Sequence, residues 1–174
     1  EADRPGWCDA LNGLPGIFGS SVNETIELRR LADFTRRAMP AGEGECPLPG
    51  ELAAFVARLG DLLHRGDLAP MGFWRAAGAL KESYRASVFM GFSGAEATMP
   101  FADVRRFVAD VSGFLDQAIA RARTPQGVVT YFACEVTEYA QRDGGVEVLG
   151  FRQRPLPMFL EGFVHAMRIA TAQE

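Results

Sequence analysis

Asp9 stands two residues after Trp7 in the segment Pro5-Gly6-Trp7-Cys8-Asp9-Ala10-Leu11-Asn12-Gly13-Leu14-Pro15-Gly16. A carboxylic acid partly desolvated beside an aromatic ring loses some of the hydration of its charged form, and its pKa rises. An acid tuned in this way can give a proton to a leaving group at neutral pH. Trp7 can supply that ring, or can stack on the face of a sugar. The glycines and prolines around the pair bend the backbone into a loop suited to carrying a site. The same residues also allow a plainer arrangement, in which Asp9 caps a turn and Trp7 packs in a core. Spacing alone leaves both open.

Other residues have the right types for chemistry. Glu24 closes the pattern Ser21-x-x-Glu24, which is a capping box, and it can alternatively face the same cavity as Asp9. Glu161 and His165 lie four apart, on one face of a helix; such a pair suits catalysis, phosphate binding or a simple surface contact. His64 stands at a helix end, where a positive charge is favoured. Glu135 and Glu138 fall on opposite faces of a strand and so do not pair. Cys8, Cys46 and Cys134 are odd in number and widely spaced. They form no zinc pattern or disulfide framework, which points to a reducing, cytoplasmic setting. The chain has no phosphate loop, no dinucleotide glycine fingerprint and no Ser-His-Asp set.

These residues need elements to hold them. Residues 1–21 read as loop. A first helix follows the Ser21 cap, with Val22, Ile26, Leu31 and Phe34 on its inner stripe, and stops at Met39-Pro40. Residues 40–50 read as a linker. A second helix carries Leu52, Phe55, Val56, Leu59, Leu62 and Leu63 on one face. A third runs from Met71 to Phe92, with Trp74, Leu80 and Tyr84 inward. In the fourth, Val104, Phe107, Val108, Val111, Phe114, Leu115 and Ile119 recur at helical steps. After Thr124-Pro125-Gln126-Gly127 the period falls to two. Residues 128–139 and 146–151 then form a hairpin about Asp143-Gly144-Gly145. A last helix carries Phe159, Leu160, Phe163, Val164 and Met167.

The 174 residues are 48% hydrophobic and 23% charged, as in an ordinary globular domain. The net charge is −4. Arg29-Arg30 and Arg36-Arg37 share their helix with Glu24, Glu27 and Asp33, so no basic footprint for nucleic acid exists. No apolar run is long enough to span a membrane, and the first residues are not a signal peptide. A site loop this near the first residue, with no initial Met, leads us to expect a piece of a larger protein.

Gly6-Trp7-Cys8-Asp9-Ala10-Leu11-Asn12-Gly13 resembles the catalytic segment of glycoside hydrolase family 94, Gly-Asp-Trp-Asn-Asp-Gly-Met-Asn. Trp7, Asp9 and Asn12 fall on its Trp-x-Asp core and its later Asn. The likeness is greatest to the 1,2-β-oligoglucan phosphorylase branch. There the segment reads Lys-Pro-Gly-Trp-x-Asp-Ala-Leu-Asn-Gly-Leu-Pro-Gly and is followed by Phe-Gly-Ser-Ser and Glu-Thr-x-Glu-Leu. Lys81-Glu82-Ser83-Tyr84-Arg85, Tyr131-Phe132-Ala133-Cys134-Glu135-Val136-Thr137 and Arg154-Pro155-Leu156-Pro157-Met158-Phe159-Leu160-Glu161-Gly162 resemble later segments of that branch.

The resemblance implies a glycoside phosphorylase of the six-hairpin type that acts with inversion and releases α-glucose 1-phosphate from β-linked glucan. Asp9 then matches the general acid and Trp7 an aromatic lining the sugar site; Asn12 falls on a motif position without an assigned role. No metal or organic cofactor is implied, since phosphate is a substrate. The expected partners are β-glucan oligosaccharide and inorganic phosphate, with neither nucleic acid nor membrane. The implied fold is mainly α, a partial (α/α)6 barrel with one β-hairpin. Within residues 1–174, 1–21 is the catalytic loop, 50–123 a helical excursion and 128–151 the hairpin. The family's phosphate-site loop does not occur in this chain, and Glu161 and His165 are not given that role. Alone, the chain is expected to be inactive, and to associate with itself or with the missing parts of the enzyme. Two rival readings accompany this one. An inverting hydrolase on the same barrel needs a second carboxylate about 6.5–9.5 Å from the acid, and Glu24 is the nearest in sequence. A non-catalytic helical module would bind carbohydrate or a partner without cleaving anything.

Overall fold

The computed structural model describes residues 19–158 and 160–170. Trp7, Asp9 and Asn12 therefore lie outside the described residues. The elements run β1 (Gly19–Ser21), α1 (Val22–Ala38), β2 (Glu45–Pro49), α2 (Gly50–Leu63), α3 (Pro70–Val88), β3 (Glu96–Pro100) and α4 (Phe101–Ala122). They continue with β4 (Arg123–Thr124), β5 (Gly127–Val128), β6 (Tyr131–Arg142), β7 (Gly145–Pro155) and α5 (Leu160–Ala170).

The expected mainly α, partial (α/α)6 barrel is not what these residues form. Helices take 55% of them and strands 26%, in three small sheets, so the chain is mixed α/β. The helices fall close to where periodicity puts them. The difference lies in stretches that read as loop and linker. Residues 45–49 and 96–100, rich in proline or set in a break, pair as an antiparallel ribbon with Cys46 opposite Met99 and Leu48 opposite Ala97. A two-stranded ribbon has open edges, so prolines that cannot donate a ladder bond are tolerated in it. Gly19–Ser21 becomes a strand only because β6 is there to receive it, with Ser21 opposite Tyr131.

Two compact units result. One is Leu31–Phe114; the other combines the described residues up to Arg30 with the described residues from Leu115 onward. In the second of these, the antiparallel sheet has the order β1-β6-β7. Its core is Val22, Ile26, Ile119, Ala122 and Val128, with Phe132, Ala166 and Ile169 half-buried against it. The β6–β7 hairpin turns at Asp143-Gly144, where Gly144 has φ +94°, a left-handed conformation that favours glycine. In the unit Leu31–Phe114, Leu62 of α2, Leu80 of α3 and Val108 of α4 are buried, and α2 packs on α3 across a short connection.

The expected inner stripes are only partly buried. Val22 and Ile26 are buried, yet Leu31 and Phe34 are exposed, as are Trp74 and Phe114. Amphipathic spacing marks a face; it does not say how far along a helix that face is covered. Among the described residues no helix is long and apolar enough to cross a membrane.

Candidate functional site

A polar cluster joins α1, β6 and α5. Asn23 and Glu27, four apart on α1, stand opposite Glu161 and His165, four apart on α5. Each pair shares one helix face, so the two helices meet in matching rungs. On the first rung the Tyr131 hydroxyl donates to Glu161 Oε2 at 2.9 Å and accepts from Asn23 Nδ2 at 3.3 Å. On the second, His165 Nδ1 donates to Glu27 Oε1 at 2.6 Å. Arg30 holds the other Glu27 oxygen at 2.5 Å, and Arg168 approaches Oε1 at 3.5 Å. Burial pushes the Glu27 carboxyl upward, but the bonds from His165 and Arg30 outweigh it, and the group sits below its ordinary value.

The cluster is anchored from beneath. Thr130 is fully buried, and its carbonyl accepts the Val22 N–H at 2.9 Å. Gly162 of α5 lies against it so closely that a Cβ there would overlap the Thr130 hydroxyl. Asn23 is buried, and its Oδ1 has no hydrogen-bond partner. Glu161 and His165 are thus not a surface pair. They tie α5 to its neighbours, an arrangement that orients helices rather than delivering protons.

The remaining sequence candidates take structural places. Glu24 is exposed, and its backbone N–H meets Ser21 Oγ at a long 3.5 Å. His64 caps α2 with Nδ1 2.9 Å from the Gly60 carbonyl and Nε2 3.2 Å from Asp110. Glu135 pairs with Arg152 at 2.6 Å and with Arg154 at 3.4 Å, and the Arg152 bond draws its carboxyl below the usual range. Cys46 and Cys134 are free thiols. Among the described residues no group of three or more His, Cys, Asp or Glu could hold a metal ion. Asn23, Glu27 and Tyr131 were not singled out from sequence. The signal for the first two was present as the same four-residue spacing that flagged Glu161 and His165.

In the three-stranded sheet the distant strand β1 joins the two arms of the β6–β7 hairpin. Ser20-Ser21 of β1, Tyr131–Thr137 of β6 and Arg154-Pro155 of β7 are direct neighbours. Gly19 faces Ala133 on one side of β6, while Arg154 faces Ala133 and Pro155 faces Phe132 on the other. The Leu156 N–H closes the exit of β7 onto the Tyr131 carbonyl at 2.9 Å. Lys81–Arg85 lies elsewhere, on α3 in the unit Leu31–Phe114. In comparisons with known proteins, no protein-family model and no curated protein matches this chain.

Proposed function

We propose that this chain carries the acid of a cytoplasmic enzyme that phosphorolyses β-linked glucan with inversion and releases α-glucose 1-phosphate. The observation that carries the reading is the segment Gly6–Gly13, with Trp7, Asp9 and Asn12 on the positions of a glycoside phosphorylase motif. The meeting of β1, β6 and β7 supports it. The residues following the motif and two later segments with the same resemblance become neighbours in one sheet.

In this mechanism the Asp9 carboxyl protonates the glycosidic oxygen as its bond to the anomeric carbon breaks. A phosphate oxygen attacks that carbon from the opposite face, and the β linkage becomes an α-phosphate ester. Phosphate takes the place of the water and general base of an inverting hydrolase, so one carboxylic acid is sufficient. Trp7 lines the sugar site.

The test is the consumption of β-glucan oligosaccharides by the intact natural protein, with and without phosphate. Cleavage that requires phosphate, yields α-glucose 1-phosphate and falls by about 10²–10⁴-fold in Asp9→Asn supports the proposal. Equal cleavage without phosphate would make the enzyme a hydrolase. Sugar binding without cleavage, unchanged in Asp9→Asn, would make it a binding module.

A further inference from the structure

In the unit Leu31–Phe114, α2 and α3 leave a cavity of about 240 Å³ between them. Its origin can be read from the two helices. Glu51, Phe55 and Arg58 share one face of α2, at steps of four and three. Ser83, Tyr84 and Ser87 share one face of α3. Leu62 and Leu80 are buried, but at Ser83 and Ser87 the side chains are too small to fill the gap. The apolar part of the wall is Ala54, Leu80 and two aromatic rings, those of Phe55 and Tyr84, 4.7 Å apart and tilted by 33°.

The polar groups around these rings are of complementary kinds. Glu51 accepts the Ser93 N–H on Oε1 at 2.9 Å, and its Oε2 has no hydrogen-bond partner. Hydrogen bonds from the Ser93 side chain and backbone hold the Glu51 carboxyl below its ordinary value, so it is an acceptor at neutral pH. Arg58 offers a guanidinium, and Ser83 and Tyr84 offer hydroxyls; none of these three side-chain groups has an ion-pair or hydrogen-bond partner among the described residues. Ser87 donates to the Tyr84 carbonyl at 2.7 Å and keeps its lone pairs for a second contact.

The geometry points to a binding site for one neutral hexose ring in the cavity between α2 and α3. A hexose has an apolar C–H face that suits an aromatic wall. Its rim of hydroxyls needs both donors and acceptors, which a carboxylate, a guanidinium and serine hydroxyls supply together. The charges of Glu51 and Arg58 cancel, which disfavours an anion such as a sugar phosphate. The volume lies below the roughly 300–1,000 Å³ of pockets for drug-sized ligands, so the occupant is about one ring. That this ring is a glucosyl unit of the glucan rests on the function proposed above. The preference for a neutral polyol does not.

Titration of the full chain with D-glucose, cellobiose and sophorose, followed by amide chemical shifts, tests the site. The expected shifts fall in residues 51–58 and 83–87. Arg58→Ala and Tyr84→Ala weaken binding by about tenfold, the ordinary weight of a hydrogen bond to a charged group or of a comparable contact. Ser83→Ala sits on the surface and leaves the fold in place, so a weaker affinity there supports the site even if Tyr84→Ala does not fold. Absence of shifts in these segments, unchanged affinity in Arg58→Ala and Ser83→Ala, or tighter binding of glucose 6-phosphate than of glucose overturns the inference. The two proposals fail separately. Sugar bound here without phosphorolysis refutes the catalytic reading alone, and phosphorolysis without sugar bound here refutes this site alone.

Discussion

Alanine at Gly162, in the first turn of α5, and alanine at Gly113, in the interior of α4, are the same substitution in two helices, and they should change stability in opposite directions. Alanine is favoured over glycine in a helix by about 1 kcal/mol. At Gly113 of α4 a new Cβ meets nothing within 4 Å, so that gain stands. At Gly162 of α5 the Cβ would overlap Thr130 Oγ1 and lie 3.1 Å from the Thr130 Cβ. Thr130 cannot give way easily. It is fully buried, is β-branched, and its carbonyl is engaged with Val22 at 2.9 Å. Overpacking of this kind costs about 1–3 kcal/mol, and an overlap this deep belongs to the upper part of that range. Gly162→Ala should therefore lose about 1–2 kcal/mol net, while Gly113→Ala gains up to about 1 kcal/mol.

Chemical denaturation followed by circular dichroism measures both, and thermal melts should separate the variants by several degrees, at about 2–4 °C per kcal/mol. The double variant Gly162→Ala with Thr130→Ala isolates the cause, because removing the hydroxyl and methyl makes room for the new Cβ. It should be less destabilised than the sum of the single changes by at least about 0.5 kcal/mol. A Gly162→Ala protein as stable as Gly113→Ala, or additive behaviour in the double variant, would refute the packing of α5 on Thr130.

Glu27 supplies a pH prediction. Its carboxyl lies below the ordinary 4.5 in the folded chain, so its contribution is complete above that value and is lost as pH falls through the lower folded one; Glu27→Gln should flatten that part of the acid limb, and coincident limbs would contradict the His165–Glu27 contact. Tyr131→Phe removes the hydroxyl shared by Asn23 and Glu161 and should cost about 1–3 kcal/mol in denaturant titrations, because the Asn23 amide is left buried without its partner. Gly144→Ala places a side chain at φ +94° and should lose about 1–2 kcal/mol, seen as earlier exchange of the β6 and β7 amides. In the intact natural protein, Asp9→Asn should lower phosphate-dependent release of sugar phosphate by about 10²–10⁴-fold while leaving the circular dichroism spectrum unchanged.

What could be read from sequence was what local physics decides. The α4 stripe from Val104 to Ile119, the Ser21 start of α1 and the Asp143-Gly144 turn each depend on residues a few positions apart, and each is found at that place. The ribbon of β2 and β3 was illegible because Cys46 and Met99 are joined only by the fold, and Pro47 and Pro49 look like linker residues to any local rule. The exposure of Trp74 and Phe34 was illegible for a related reason. Periodicity finds an apolar face without knowing where the facing element ends. At the candidate site, the four-residue spacing of Glu161 and His165 was visible. Its meaning depended on α1 presenting Asn23 and Glu27 with the same spacing.

That match bears on how the proposed chemistry is distributed. Glu161 and His165 have the residue types of an acid–base pair, yet each is already engaged. Glu161 accepts from the buried Tyr131, and His165 is bonded to an ionised carboxylate that also holds Arg30. A general acid must exchange its proton with a substrate, and a carboxylate held below its ordinary pKa, as Glu27 is, does the opposite. The cluster therefore fits a brace that fixes α5 and the start of α1 over the β1-β6-β7 sheet. In the proposed mechanism the proton comes from Asp9, at the head of the segment that leads into β1. Loosening the brace by His165→Ala would then be expected to act on stability, with catalysis changed through position and not through loss of a titrating group.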